Sequence, residues 1–127
     1  MEQLVTNRRS SQRFSVRLPI IIHPDQQSLA VLAETQDFSI DGFFCKVAEP
    51  FPIGHHLRCL VLLKEITIPG IPIQDVCLEL EAQVVRVALD RSPSGFGVGC
   101  CTTRYRVLPA TAWEEQAAKP VHAPLPS

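Results

Sequence analysis

An all-β domain, built as an antiparallel barrel or sandwich, is what the sequence predicts, on two patterns and one bound. Apolar stretches at 17–23, 29–33, 42–48, 57–64, 76–89 and 95–101 are separated by Pro, Gly and Asp clusters rather than by helical spacers. Within Val76-Cys77-Leu78-Glu79-Leu80-Glu81-Ala82-Gln83-Val84, positions 76, 78, 80, 82 and 84 share one face, while polar 79, 81 and 83 share the other. That alternation marks a half-buried strand. The bound is length, since 127 residues at 46% hydrophobic content bury one core and scarcely two.

The elements follow in chain order. Residues 1–16 form an arginine-rich arm whose first 13 positions offer only Met1, Leu4 and Val5 for burial, so it is expected to be flexible and to order on a ligand. A barrel over 17–106 begins with Arg17-Leu18-Pro19-Ile20-Ile21-Ile22-His23, a β-branched run closed by the turn signal Pro24-Asp25. Pro69-Gly70 predicts a type II turn flanked by Ile66, Ile68, Ile71 and Ile73. Those isoleucines either form an exposed apolar patch or cap one barrel end, and the second is favoured because single domains seldom leave such patches bare.

At Val84-Val85 the alternation changes phase, so that Val85, Val87 and Leu89 oppose Arg86, Ala88 and Asp90. A β-bulge there reconciles the two registers. Gly97 and Gly99 alternate with Phe96, Val98 and Cys100, which leaves one strand face smooth. Such a face suits either close approach of a base or a tightly twisted barrel strand, and the sequence leaves both open. Residues 107–127 are expected to hold a short helix and a loose tail. Thr111-Ala112-Trp113-Glu114 matches a capping box, Trp113 is the expected anchor onto the barrel, and Pro120 ends the helix by about Lys119.

The net charge of −1 conceals an asymmetry, with four arginines against Glu2 in residues 1–17 and eight basic against twelve acidic residues in the rest. A basic arm without a complementary basic surface argues against nucleic acid and for a compact anion. Five cysteines, at 45, 59, 77, 100 and 101, lack C-x-x-C spacing and lie in apolar runs, so they read as reduced core residues. The four histidines show no ligand spacing, which predicts no metal site, and His55-His56 reads as a solvated loop pair. No apolar run approaches a membrane span and the polar, basic first residues do not resemble a signal peptide, so a cytoplasmic chain without membrane insertion is expected.

Chemistry concentrates in Arg8-Arg9-Ser10-Ser11-Gln12-Arg13 and Asp37-Phe38-Ser39-Ile40-Asp41-Gly42. An arginine fork pairs with phosphate or with the O6/N7 edge of guanine, while a carboxylate and a hydroxyl accept from guanine N–H groups. Together the clusters suggest a nucleotide receptor. Taken singly, the arginines read as a solvated tail and Asp37-Ser39 as an Asx or Ser turn with Gly42 at positive φ. Asp41 reads as a turn residue facing water.

In order and separation the two clusters resemble the paired signature of PilZ domains, R-x-x-x-R followed by [D/N]-x-S-x-x-G. Arg9 and Arg13 fill the first part; Asp37, Ser39 and Gly42 fill the second. The likeness extends through Arg13-Phe14-Ser15-Val16-Arg17-Leu18-Pro19, Val84-Val85-Arg86-Val87 and Gly95-Phe96-Gly97-Val98-Gly99, roughly residues 7 to 103. It implies a six-stranded antiparallel barrel that binds cyclic di-GMP beneath the folded arm, with no other cofactor. Arg9 and Arg13 would contact phosphate and guanine, Asp37 and Ser39 guanine edges, and Gly42 would keep the backbone close to the ligand. Arg8, preceding the signature, implies an intercalated pair of ligands per chain. Gly97 and Gly99 are further ligand-facing candidates.

No Ser-His-Asp order, H-E-x-x-H or Walker loop occurs, so a binding module that signals to an unidentified downstream protein is expected rather than an enzyme. The alternative is a degenerate PilZ-like structural or pilus and motility partner that has lost nucleotide binding.

Overall fold

A computed structural model describes residues 15–25, 29–63, 75–91, 94–119 and 121–122, and the side chains of all of these except 90, 91, 94 and 122. The arm arginines Arg8, Arg9 and Arg13, the Pro69-Gly70 turn with its isoleucines, and residues 123–127 lie outside the described residues.

Six strands close into an antiparallel barrel: β1 (Pro19–His23), β2 (Ala30–Ser39), β3 (Gly42–Val47), β4 (His56–Leu63), β5 (Val76–Arg91) and β6 (Ser94–Pro109). They are ordered β1-β4-β5-β6-β3-β2, and the pairing of β1 with β2 joins the ends. Closure pairs backbone groups that an open sheet would leave at its edges. Both predictions from alternation hold. Leu78, Leu80, Ala82 and Val84 face the interior, and β5 bulges at Val85, between the pairs Val84↔Cys100 and Arg86↔Gly99. The shared face expected for 85, 87 and 89 does not form. Val87 packs on the core, whereas Val85, lifted out by the bulge, is 53% exposed and Leu89, near the end of its strand, 58%.

Phe38 and Phe43, paired across β2 and β3 and both fully buried, anchor the interior with Ile20, Ile22, Val61, Leu78 and Leu80. Cys45, Cys59, Cys77 and Cys100 are buried free thiols, and burial pushes Cys77 up to about 11 and Cys59 well above its ordinary value. Such thiols are poor nucleophiles. Cys101 departs from the expected core set: it is exposed, because β6 turns alternate residues outward and the buried Cys100 takes the inner position.

Helix α1 (Ala110–Ala117) starts two residues earlier than the capping box implies. Its N-cap is Pro109, with φ −63° and ψ 153°, and no side chain caps it. Thr111 lies inside the helix because β6 stays paired to β5 as far as Pro109↔Val76, so the chain turns where the ladder ends. Trp113 is the buried anchor, packed with Ile21, Ala30, Leu60 and Cys77 on the outer barrel wall. The chain beyond α1 is not wholly loose: Val121–His122 form β7, parallel to Ala30 and Val31 of β2, and Val121 packs against the same cluster as Trp113. Among the described residues no helix is long and apolar enough to cross a membrane.

The outer wall of β4, β5 and β6 carries an ion ladder in which Arg106 and Arg58 both bond Glu79, the latter at 2.9 Å, and Arg104 bonds Glu81 at 2.7 Å. The hydrogen bond from Arg106 holds the Glu79 carboxyl below its ordinary value of 4.5, reinforced by Arg58 and opposed by desolvation. A carboxyl lowered by folding stabilises the fold fully above the unfolded value, and that contribution disappears as pH falls through the folded one. Glu79→Gln should therefore flatten the loss of stability on acidification below about pH 5, read by urea unfolding at stepped pH. An acid limb as steep as wild type would show that the pair contributes nothing.

Candidate functional site: a re-aimed row on the barrel wall

Asp37 reaches the outer wall through a second bulge. Between Thr35↔Cys45 and Asp37↔Phe44, β2 carries one extra residue, Gln36. Thr35 and Cys45 both point inward; past the bulge Phe38 fills the core and its neighbours Asp37 and Ser39 alternate away from it, Asp37 half-buried and Ser39 covered by the turn that follows. Bulges re-aim side chains in this way.

The buried Thr35 hydroxyl accepts from the Leu18 N–H at 2.9 Å and donates to the Val16 carbonyl at 2.7 Å. Thr35 thereby fastens the chain leading into β1 along β2, beside the Asp37 end. Ser39, 1% exposed, accepts from the Asp41 N–H at 3.1 Å and lies 3.5 Å from the Gly42 carbonyl. The Thr102 N–H donates to the Asp41 carbonyl at 2.8 Å, tying the turn to β6. So the Ser-turn reading of Ser39 holds, but its expected positive-φ glycine does not. Among the described glycines the positive φ belongs to Gly54; Gly42 opens β3 as an ordinary strand residue. The Ser39 hydroxyl already occupies the turn N–H, so no left-handed residue is required there.

From Asp37 a transverse row crosses the sheet: Asp37 pairs with Phe44, Phe44 with Gly99, and Gly99 with Arg86. Ser39, Gly42 and Cys101 form the neighbouring row. The smooth face of Gly97 is taken by the chain itself, since a Cβ there would lie 2.2 Å from Cζ of Phe44. Over that ring sits the Arg86 guanidinium, 5.0 Å from the centroid, a cation–π stack. At Gly99 a Cβ would meet Arg86 and Phe44 only at 3.5–3.6 Å, ordinary contact. Gly97→Ala should therefore push the ring off its seat and unstack Arg86, while Gly99→Ala leaves it in place. Ring proton shifts of Phe44 by NMR would report this, and an unmoved ring in Gly97→Ala would contradict it.

Sequence reasoning did not single out Phe44 and Arg86 as members of the row that begins at Asp37. The phase break at Val84-Val85 was the available signal, because the bulge it marks turns Arg86 outward. His55, read as solvated, is half-buried and donates from Nε2 to the Pro24 carbonyl at 2.9 Å, tying the loop before β4 to the end of β1. Among the described residues no group of three His, Cys, Asp or Glu could hold a metal ion.

A closed six-stranded antiparallel barrel, with the Asp37 carboxylate on its wall beside a β2–β3 turn held by the buried Ser39 and Gly42, defines a small binding module. The family model for the PilZ domain matches residues 7–107, and the chain belongs to that family of cyclic di-GMP receptor domains, which are binding and regulatory modules rather than enzymes. The structure of Bacillus subtilis inhibitor of motility (MotI/DgrA) is similar, with a TM-score of 0.60 at 21% sequence identity over 88% of this chain and 47% of that one. The chain thus spans about half the length of that protein, and the likeness is one of fold. No curated protein matches.

Proposed function

We propose that this chain is a cyclic di-GMP receptor in which Arg9 and Arg13 clamp the ligand against the wall that carries Asp37, Ser39 and Gly42. The observation that supports this best is the Gln36 bulge with the Thr35 clasp. The bulge turns Asp37 outward, and the clasp lays the chain that leads back to the arm along the same strand. Three residue steps lead from Arg13 to Val16, a tether of at most about 10 Å, so its guanidinium can reach the Asp37 end of the row. The carboxylate and hydroxyl would read guanine edges and the arm would neutralise phosphate.

Ordering of the arm on ligand would change the surface offered to a downstream protein, which is how a module without catalysis transmits a signal. Arg8 adds a third guanidinium and favours two stacked ligands per chain, whose clustered phosphates would otherwise repel. A cytoplasmic location follows from where such a messenger acts. Calorimetric titration with cyclic di-GMP tests the reading, with binding at two ligands per chain as the expected result. A flat isotherm would favour the degenerate interaction protein instead, and a one-to-one isotherm would remove the role given to Arg8.

A further inference from the structure

We infer that the far half of β6, residues 103–109, is an open docking edge that takes an acidic extended strand of another protein, one with alternate apolar residues, by adding it to the sheet. The inference stands apart from the cyclic di-GMP reading, because this edge shares no residue with the signature clusters or with the row from Asp37 to Arg86.

The edge exists because the two neighbours of β6 differ in length. With β5 the pairing runs from Arg91↔Ser94 to Val76↔Pro109, whereas β3 reaches only from Val47↔Phe96 to Gly42↔Cys101. One further backbone bond, from the Thr102 N–H to the Asp41 carbonyl, ends the contact on that side. Among the described residues no strand pairs beyond it. In an antiparallel ladder every second residue points its N–H and C=O away from its partner strand, so this stretch presents unpaired backbone groups to a newcomer.

The two faces of the edge differ. Tyr105 and Val107 stand beside the fully buried Leu80 and Leu78, yet are 42% and 47% exposed, because no described strand continues the barrel past them. Arg104 and Arg106 alternate with them on the other face, opposite Glu81 and Glu79. Glu79 bonds both Arg106 and Arg58 and Glu81 bonds Arg104, so three guanidiniums share two carboxylates and the face keeps a positive charge. An incoming strand that lays apolar residues beside Tyr105 and Val107 sets its intervening residues beside the arginines, where acidic side chains are favoured.

The same arginines disfavour the occupants that this chain could supply. Two copies paired antiparallel about Tyr105 would set Arg104 against Arg106, and pairing about Arg104 or Arg106 would set that residue against itself. Like charges directly opposite are destabilising. The arm brings Arg8, Arg9 and Arg13 against Glu2 alone, and the C-terminal Ala123-Pro124-Leu125-Pro126-Ser127 holds two prolines, which cannot donate to a ladder. A separate acidic strand meets neither obstacle.

Three blocked seven-residue peptides, titrated into the full chain without cyclic di-GMP, test the edge. The first alternates glutamate with valine, the second has lysine in place of glutamate, and the third is the first with proline for its middle valine. Calorimetry reads the affinity and amide hydrogen exchange reads the place. The glutamate peptide should bind and slow exchange of the outward amides between 103 and 108. The lysine peptide should bind about tenfold more weakly or worse, since two attractive cross-strand pairs become repulsive. The proline peptide, short of a ladder donor, should also bind more weakly than the first. Arg104→Gln should narrow the gap between the glutamate and lysine peptides while the melting temperature of the free chain stays near wild type, because this side chain is exposed.

A lysine peptide that binds as well as the glutamate peptide would overturn the acidic occupant. Protection that falls anywhere but 103–108, or no binding by any of the three, would overturn the docking edge. A wild-type chain that sediments as a dimer with these amides protected would identify a second copy as the occupant, and slow exchange of the same amides in the free monomer would identify another segment of this chain. Either result would overturn the proposal.

Discussion

Arg9→Ala and Arg13→Ala are each expected to weaken cyclic di-GMP binding by at least about a hundredfold, since each removes charge-assisted contacts to phosphate and a contact to guanine. The barrel should stay folded in both. Its described core draws on residues from Val16 onward, with Leu18, Ile20, Phe38 and Phe43 at its centre. Lysine at either position should fail to restore affinity, because it keeps the charge but lacks the planar fork and the stacking surface. Calorimetry, with circular dichroism as the folding control, checks this. Wild-type affinity in both lysine forms would refute the guanidinium argument, and loss of the β signal in the alanine forms would mean that the arm serves the fold instead.

Phe43→Ala is expected to cost about 3–5 kcal/mol of stability, the range for truncating a fully buried aromatic side chain. Phe43 has no exposed surface, stands directly across from Phe38, and joins β3 to Cys100 of β6 on the other side. Small domains hold about 5–15 kcal/mol in all, so this one change would consume a large share of the total. Phe44→Ala, one residue away, should cost much less, because Phe44 lies half-buried on the outer wall and loses mainly its seat on Gly97 and its stack with Arg86. Urea unfolding of both variants decides the matter. A larger loss at Phe44 than at Phe43 would mean that the assignment of inner and outer faces is reversed.

These two neighbours show why part of the site was legible in the sequence and part was not. Alternation assigns Phe43 and Phe44 to opposite faces, but it does not say which face is the core. That choice depends on register, and the register of β3 is set by partners that lie far along the chain, at Phe38 on one side and Cys100 on the other. The Val85 bulge was visible because two apolar phases collide there. The Gln36 bulge was not, since Glu34, Thr35, Gln36 and Asp37 present no apolar phase to break.

By itself the sequence determined the strand-rich class, the first strand through Ile20-Ile21-Ile22, the buried face of Val76 to Val84, the Val85 bulge and Trp113 as the anchor. Each is a local pattern of burial with period two or a lone large aromatic, and local pattern survives whatever the distant partners are. It also carried the family's signature residues. Tertiary structure alone decided that Asp37, Phe44, Gly99 and Arg86 stand in one row, that Gly97 is a seat for Phe44, that Cys101 faces solvent, that α1 begins after Pro109, and that Val121 pairs beside Ala30. All of these follow from which strand lies next to which and where each ladder ends. Such pairings join residues tens of positions apart, and no short window of sequence contains both partners.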